Sequence, residues 1–362
     1  MFLLKPLLLT IGIPTYNRAY SLESTLPRLS EDLVGLESKI QILIVDNASF
    51  DNTEQVVKNW IDSVKGRLKV RYVRNNENIG MSRNIVSCFY MSDTTYTTFM
   101  GDDDCLNKES IIRLIDILEG PEVVSAVIGT SRSMNYEVGR KGYIDYEDAA
   151  SWFYIYGNGA EGVVHTQTAI SSIEKRNLRN EIEKIVWPQT VMGFLAMFDK
   201  TPSKIYAADF SFTDSFSDYQ SVTNKAYWVK CFDSLLKAAL LVDGATKKNT
   251  IKKSLLKYKN SGFYSHIRVI VWYALIADAE VNTMQVRILL RKYFGVKGLV
   301  CSIFLWLSDH KKILTFFSRL LYVIGKRKSP RVFDKKLKAI SMNHILEVDK
   351  SKESNKRFGD WF

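Results

Sequence analysis

Cysteine and proline are scarce in this chain of 362 residues, with four of the first and seven of the second. Cys88, Cys105, Cys231 and Cys301 stand far apart with no CxxC pair. That argues against a disulfide framework or a zinc site and fits a reducing cytoplasm. No uncharged apolar run of about 18 residues occurs, so no membrane-spanning helix is expected. The opening MFLLKPLLLTIGIPTYN lacks a basic leader and a small-residue cleavage site, so no signal peptide is expected. Repeats and low-complexity tracts are absent as well. The length exceeds one ordinary core and predicts two domains, or one large domain with an appendage.

What is present is charge, unevenly placed. Residues 225–362 hold 28 Lys and Arg against 10 Asp and Glu, while the first 224 hold 22 against 29. A mildly acidic front and a strongly basic rear point to a polyanionic partner, either nucleic acid or an anionic membrane face.

The front half alternates strand and helix signals. LLLTIGIP (7–14), IQILIVDNAS (40–49), LKVRYVRN (68–75) and TYTTFMG (95–101) read as strands. Helical spacing follows each, over 19–33 with a proline interruption, 52–65 with Asp51 or Asn52 as cap, 81–92, and 107–120 closed by Gly120. This order predicts an α/β fold with a doubly wound sheet, in which ligands bind beyond the carboxyl ends of the strands. Four polar clusters, PTYNR, DNASFDNT, NNENIG and GDDD, directly follow the four strands and are expected on one rim. From 121 to 224 the signals are mixed, with VVSAVIGTS strand-like and IEKRNLRNEIEKIVWPQ a helix ending before Pro188. After 225 the chain reads as successive helices, and 296–328 holds two short apolar runs separated by SDHKK.

Asp102, Asp103 and Asp104 crowd three like charges at a buried strand's end, where each raises the others' pKa. Hard oxygen ligands at that spacing suit Mg²⁺ or Mn²⁺ shared with substrate phosphates, and such a cation acts as a Lewis acid on a diphosphate leaving group. The plainer alternative is a solvated turn capping the helix at 107. Asp46 ends the most hydrophobic strand, where a carboxylate can accept a base N–H. Gly80 and Arg83 lie where backbone and guanidinium can approach phosphate. The Trp, Tyr and Phe residues of 152–156 either stack on a sugar or pack the core. His266, His310 and His344 have no ligand spacing and read as structural or surface residues.

IGIPTYNR, ILIVDNASFDNT, NIGMSRN and GDDD, in this order and spacing, resemble the nucleotide-binding half of family 2 glycosyltransferases with the GT-A fold. The likeness covers residues 7 to 120. It implies that Pro14, Thr15, Tyr16, Arg18 and Asp46 contact the nucleoside, and that Gly80 and Arg83 lie near base and phosphate. It further implies that Asp102 and Asp103 bind the sugar nucleotide, that Asp102 and Asp104 hold a divalent metal, and that Asp104 is catalytic. Asn47 departs from the family, which often has a second Asp there. The likeness also implies an acidic base about 90 residues past the aspartates, where this chain reads VWPQTVMGF with Gln189 and Thr190 instead. That variant loosely resembles the abequosyl- and other deoxysugar transferases of bacterial O-antigen clusters. His165, Glu161, Asp199 and Asp209 are the candidates for the missing base, and the stereochemical outcome stays open.

The expectation is a metal-dependent transferase moving a hexose or deoxyhexose from a nucleoside-diphosphate sugar to a lipid-linked or surface polysaccharide hydroxyl. It would be peripheral at the cytoplasmic face of the membrane, with no nucleic-acid partner. Residues 1–224 would form the transferase domain, with a nucleotide half (1–120) and an acceptor half (121–224), and 225–362 a helical basic region. The basic, apolar rear helices suit an anionic lipid surface. A nucleotidyltransferase acting on sugar phosphates would want a Gly-rich, basic loop after the first strand, which PTYNR does not supply. A phosphoacceptor receiver would be much shorter than this chain. A non-catalytic membrane-binding scaffold would leave the front rim without purpose.

Overall fold

The computed structural model describes residues 7–130, 140–153, 162–199, 204–215, 225–257 and 282–310, with single positions at 267, 270, 271 and 313. By internal contacts the chain divides into two compact units. One holds Met1–Ser221 with Lys237–Gly262, the other Val222–Leu236 with Phe263–Phe362.

The first unit is built on an eight-stranded mixed sheet in the order β3-β2-β1-β4-β8-β6-β9-β7. Strands β1 (Leu9–Thr15), β2 (Ile40–Asp46), β3 (Lys69–Arg74) and β4 (Tyr96–Phe99) run parallel, as the alternating sequence predicts. Every residue of β2 is buried, which suits a central strand covered on both faces. At the edge, β3 alternates exposed Lys69, Arg71 and Arg74 with half-buried apolar residues, and such charges protect an open edge.

Helices α1 (Ala19–Asp32), α2 (Thr53–Val64) and α4 (Lys108–Leu118) cover one face, packing Leu22, Trp60 and Leu114 on Ile11 and Ile42. On the other face α3 (Met81–Tyr90) sets Cys88 against Leu43 and Val45. Each fully buried Leu or Ile contributes about 1.5–3 kcal/mol by leaving water. Pro27 lies inside α1 without ending it, because Leu22, Leu26 and Leu29 anchor the helix on both sides.

The second half of the sheet reverses direction. Strand β8 (Gly162–His165) runs antiparallel to both β4 and β6 (Val124–Ile128), pairing His165 with Tyr96 and Val163 with Thr98. Strand β9 (Lys204–Ala207) pairs β6 in parallel, and β7 (Gly142–Ile144) closes the edge. A separate ribbon joins β5 (Asp104–Leu106) to β10 (Thr213–Ser215). Between β7 and β8 lies α5 (Tyr146–Ala149), continued by a 3-10 turn at Ala150–Trp152.

The single helix expected from 173 and ending before Pro188 is instead broken. Helix α6 (Thr166–Glu174) stops as the chain turns through Asn177 at φ +51°, a short α7 (Arg179–Ile182) follows, and Pro188 opens α8 (Pro188–Asp199). Pro188 is a start signal here, because the first helical residue needs no N–H partner. Beyond lie α9 (Lys225–Thr246) and α10 (Thr250–Lys257), and in the second unit α11 (Met284–Asp309).

Candidate active site at the strand ends

The ends of β1, β2, β3 and β4 meet at one rim, and their loops are tied together by hydrogen bonds. Asn17, at φ +53°, donates its N–H to the Ser49 hydroxyl and accepts from the Phe50 N–H on its side-chain oxygen, each at 2.9 Å. The Arg18 N–H donates to Thr53 Oγ1 at 3.0 Å, and the Tyr16 ring meets the Phe50 ring edge-on at 6.1 Å. Pro14, Tyr16 and Arg18 are half-buried, so the first loop offers a partly open polar wall beside Thr15.

Asp46 is wholly buried. One carboxylate oxygen accepts from the Ser49 N–H (2.9 Å) and hydroxyl (2.6 Å), and the other accepts from the Tyr72 hydroxyl (2.7 Å). Arg74 Nε stands 3.6 Å from that second oxygen. Burial first, then the bond to Asp46, raises the Tyr72 pKa well above its ordinary value. Asn47 shows why an amide serves here. Its side-chain oxygen accepts from Ile79 N–H and Asn75 Nδ2 while its Nδ2 donates to Asn78, and a carboxylate could not donate. This network fixes the loop leading to Gly80, the residue that opens α3. Arg83, one turn inside, is exposed and bonds Glu183 at 3.1 Å.

The three aspartates have three different environments. Asp102 is buried. Its Oδ2 accepts from the Thr15 hydroxyl at 2.7 Å, its Oδ1 lies 3.6 Å from Arg18 Nε, and its backbone oxygen accepts from Thr25. Burial pushes its pKa up to about 7, Asp103 and Asp104 adding repulsion and Arg18 and Thr15 opposing. Asp103 is the open member, its side chain 37% exposed and 4.0 Å from Arg18. Asp104 begins β5, and burial followed by repulsion from Asp103 raises it to about 6.

None of them caps the helix that follows. Asn107 does, accepting from the Ser110 N–H at 3.0 Å, so the helix-capping alternative is removed. Two of the carboxylates instead converge over Gly101, where an added Cβ would stand 2.7 Å from Asp104 Oδ2 and 3.1 Å from Asp103 Oδ1. That cradle fits a hard divalent cation, which takes one or two carboxylates and completes its shell with water and phosphate oxygens. No cage of three or more His, Cys, Asp or Glu forms among the described residues. Asp102, expected as a metal ligand, has Thr15 on Oδ2 and Arg18 Nε 3.6 Å from Oδ1.

Of the candidate bases among the described residues, His165 and Asp199 stand away from this rim. His165 pairs with Tyr96, the first residue of β4, because β8 runs antiparallel. It therefore stands roughly 15 Å along the strand from the aspartates. Burial lowers its pKa, and Nδ1 faces Thr168 as the cap of α6. Asp199 shares with it an open groove of about 610 Å³ at this far pole. Its carboxylate accepts from Arg176 at 2.6 and 2.9 Å and from Ser172, with Lys175 at 2.6 Å. Burial alone would raise Asp199, but those hydrogen bonds hold it down to about 2, far too acidic for a base near neutrality. Asp209 is an exposed partner of Arg113 at 2.6 Å, which lowers its pKa. Glu161 lies outside the described residues, as do His266 and His344.

Residues 10–198, more than half of the chain, match the description Glycosyl transferase family 2. The chain belongs to that family. Over 114 residues it is 33% identical to abequosyltransferase RfbV of Salmonella typhimurium, covering 31% of this chain and 33% of that protein. Over 66 residues it is 39% identical to validoxylamine A glucosyltransferase of Streptomyces hygroscopicus, covering 18% of this chain and 14% of that one. This family 2 chain thus spans about a third or less of the length of these curated relatives. Among solved structures, S. aureus TarS 1-349 in complex with UDP-GlcNAc superposes with a TM-score of 0.51 at 11% identity, over 86% of this chain and 92% of that one. The GT-A fold is therefore shared.

One feature of this family 2 site escapes the sequence, and another shows only its residue types there. Glu183 is half-buried between Arg83 (3.1 Å) and Arg179 (3.2 Å), and only the Arg179–Glu183 helical spacing hints at it. Gln189 and Thr190 open α8, buried, with neither the Gln189 amide nor the Thr190 hydroxyl hydrogen-bonded among the described residues. Asp199 closes the same helix, so Gln189 and Thr190 stand about 15 Å along its axis from the far-pole groove.

Proposed function

We propose that the protein transfers a hexosyl or deoxyhexosyl group from a nucleoside-diphosphate sugar to a hydroxyl of a lipid-linked or surface polysaccharide acceptor. The observation that carries this reading is the cradle over Gly101, set beside the buried Thr15–Asp102–Arg18 cluster at the strand-end rim. The nucleoside lies along Pro14, Thr15, Tyr16 and Arg18, with Asp46 holding the opposite wall through Tyr72 and Ser49. Asp102 orients Thr15 and Arg18. Asp103 and Asp104 would hold Mg²⁺ or Mn²⁺, which supplies Lewis-acid stabilisation of the departing diphosphate. Arg83, released from Glu183, and the Gly80 backbone reach the phosphates. The unpaired Gln189 and Thr190 side chains supply hydrogen bonds to sugar hydroxyls. Residues 1–224 make up the transferase domain and 225–362 the helical basic region, which holds the enzyme at the cytoplasmic face of the membrane.

A thermal-shift screen of UDP-, dTDP-, CDP- and GDP-sugars with Mn²⁺ tests the reading, because a ligand at about 100 times its Kd stabilises by ~2.7 kcal/mol. One donor family is expected to raise Tm by several degrees in the presence of Mn²⁺. No response to any donor, or full activity in excess chelator, counts against it.

A further inference from the structure

The helix α11 is two helices folded on each other. Gly295 takes φ +59° and ψ −129° within it, breaking the run between residues 294 and 296. The halves then touch, since a Cβ at Gly298 would fall 1.9 Å from the Leu290 carbonyl oxygen. Only glycine permits that approach. Ser302 donates to the Arg287 carbonyl at 3.1 Å, Thr283 donates its hydroxyl to Asp309 at 2.6 Å, and Arg287 lies 3.7 Å from the same carboxylate. Ser302, Thr283 and Asp309 are thus hydrogen-bonded between the halves, beside buried Val286, Leu290, Phe294 and Leu305.

The outward face is the reverse of an ordinary soluble helix. Val296, Leu299, Val300, Ile303 and Phe304 recur at i, i+3, i+4, i+7 and i+8 and, with Trp306, are 38–79% exposed. Exposed Arg291, Lys292 and Lys297 flank this stripe, and Asp309, turned inward, is the only acid from 282 to 310. Residues 311–331 add seven Lys and Arg and no Asp or Glu. No described helix is long and apolar enough to cross a membrane. An apolar stripe with a basic border and insufficient length to span belongs at a lipid–water interface.

We propose that the outer face of the α11 hairpin seats the protein on an anionic bilayer, with Leu299, Ile303 and Phe304 inserted among acyl chains and Lys292 and Lys297 against the headgroups. This deepens the reading of a lipid-linked acceptor, whose phosphate end lies in that same interface. The bilayer is favoured over a protein partner because the border is uniformly cationic and the stripe carries no polar position to specify register.

The test is co-sedimentation of the full chain with phosphatidylcholine vesicles, with and without about one third phosphatidylglycerol. Wild type is expected to bind the anionic vesicles, less so as salt is raised, and to leave the neutral ones mostly unbound. Phe304→Asp is expected to weaken anionic binding at least about tenfold, since a carboxylate at that depth opposes insertion. The pair Lys292→Glu and Lys297→Glu, on exposed positions that leave packing intact, should do the same. Equal binding to both vesicle types, unchanged binding by the variants, or no vesicle binding by wild type overturns the proposal. Loss of a wild-type dimer in Phe304→Asp would instead assign the face to a second copy. Nucleotide-induced thermal shift on the same samples reports folding and donor binding. A donor site that fails beside intact lipid binding counts against the transferase reading alone.

Discussion

Asp102 accepts from Thr15 on Oδ2 and has Arg18 Nε 3.6 Å from Oδ1, whereas Asp104 turns over Gly101 toward Asp103. Gly101→Ala tests that cradle at the cost of one methyl group. Its Cβ would meet Asp104 Oδ2 at 2.7 Å and must displace it. Mn²⁺-dependent nucleotide affinity, followed by calorimetric titration, is expected to fall about 10–100-fold, the usual cost of disturbing a ligand's setting. Gln189 offers the opposite signature. A buried amide without a partner costs about 1–3 kcal/mol, so Gln189→Met should raise Tm while lowering sugar transfer. A loss of both would make Gln189 a packing residue. The asparagine network around Asn47 was not legible, because mutual donation and acceptance by Asn47, Asn75 and Asn78 leaves no periodic trace in a loop.

At the level of elements, the strands and the rim could be read from sequence while the far half could not. Apolar runs ending in PTYNR, DNASFDNT and GDDD fix a parallel order, since each polar cluster must leave the sheet at the same edge. Direction is invisible in a run as short as GVVH. Had β8 run parallel to β4, His165 would have faced the rim; it runs antiparallel and caps α6 instead. The break in the helix expected over 173–187 was equally hidden, because Asn177 adopts a left-handed turn that its neighbours do not announce.

Asp199 ties α8 back to α6 through Arg176, Lys175 and Ser172, and this tie carries a pH dependence. Its pKa is held near 2, below the ordinary carboxylate range, so its stabilisation is complete above about pH 4–5 and is lost as pH falls toward 2. Asp199→Asn is expected to lose roughly 2–3 kcal/mol at pH 7, as one partner of a half-buried ion cluster is removed. The difference in Tm between wild type and variant should narrow from pH 5 to pH 3. A gap independent of pH would mean that the ion pairs contribute nothing.

For the whole molecule, the charge asymmetry separates two tasks. The acidic front holds the strand-end carboxylates, and the basic rear holds α11, whose apolar outer face lies between cationic residues. Periodicity identified the apolar runs of the rear. The hairpin at Gly295 was hidden, because one glycine with positive φ turns what reads as a continuous segment back on itself. Asp103 and Asp104 are proposed to tolerate each other because a divalent cation and a diphosphate complete them. Calorimetric titration of the matching nucleoside diphosphate into the full chain, with Mn²⁺ or with chelator, tests it most directly for wild type and Asp104→Asn. Wild type is expected to bind with Mn²⁺ and to lose at least about tenfold in affinity with chelator or in the variant, the stability of the free protein changing by less than ~1 kcal/mol. Equal affinity in every arm would contradict it.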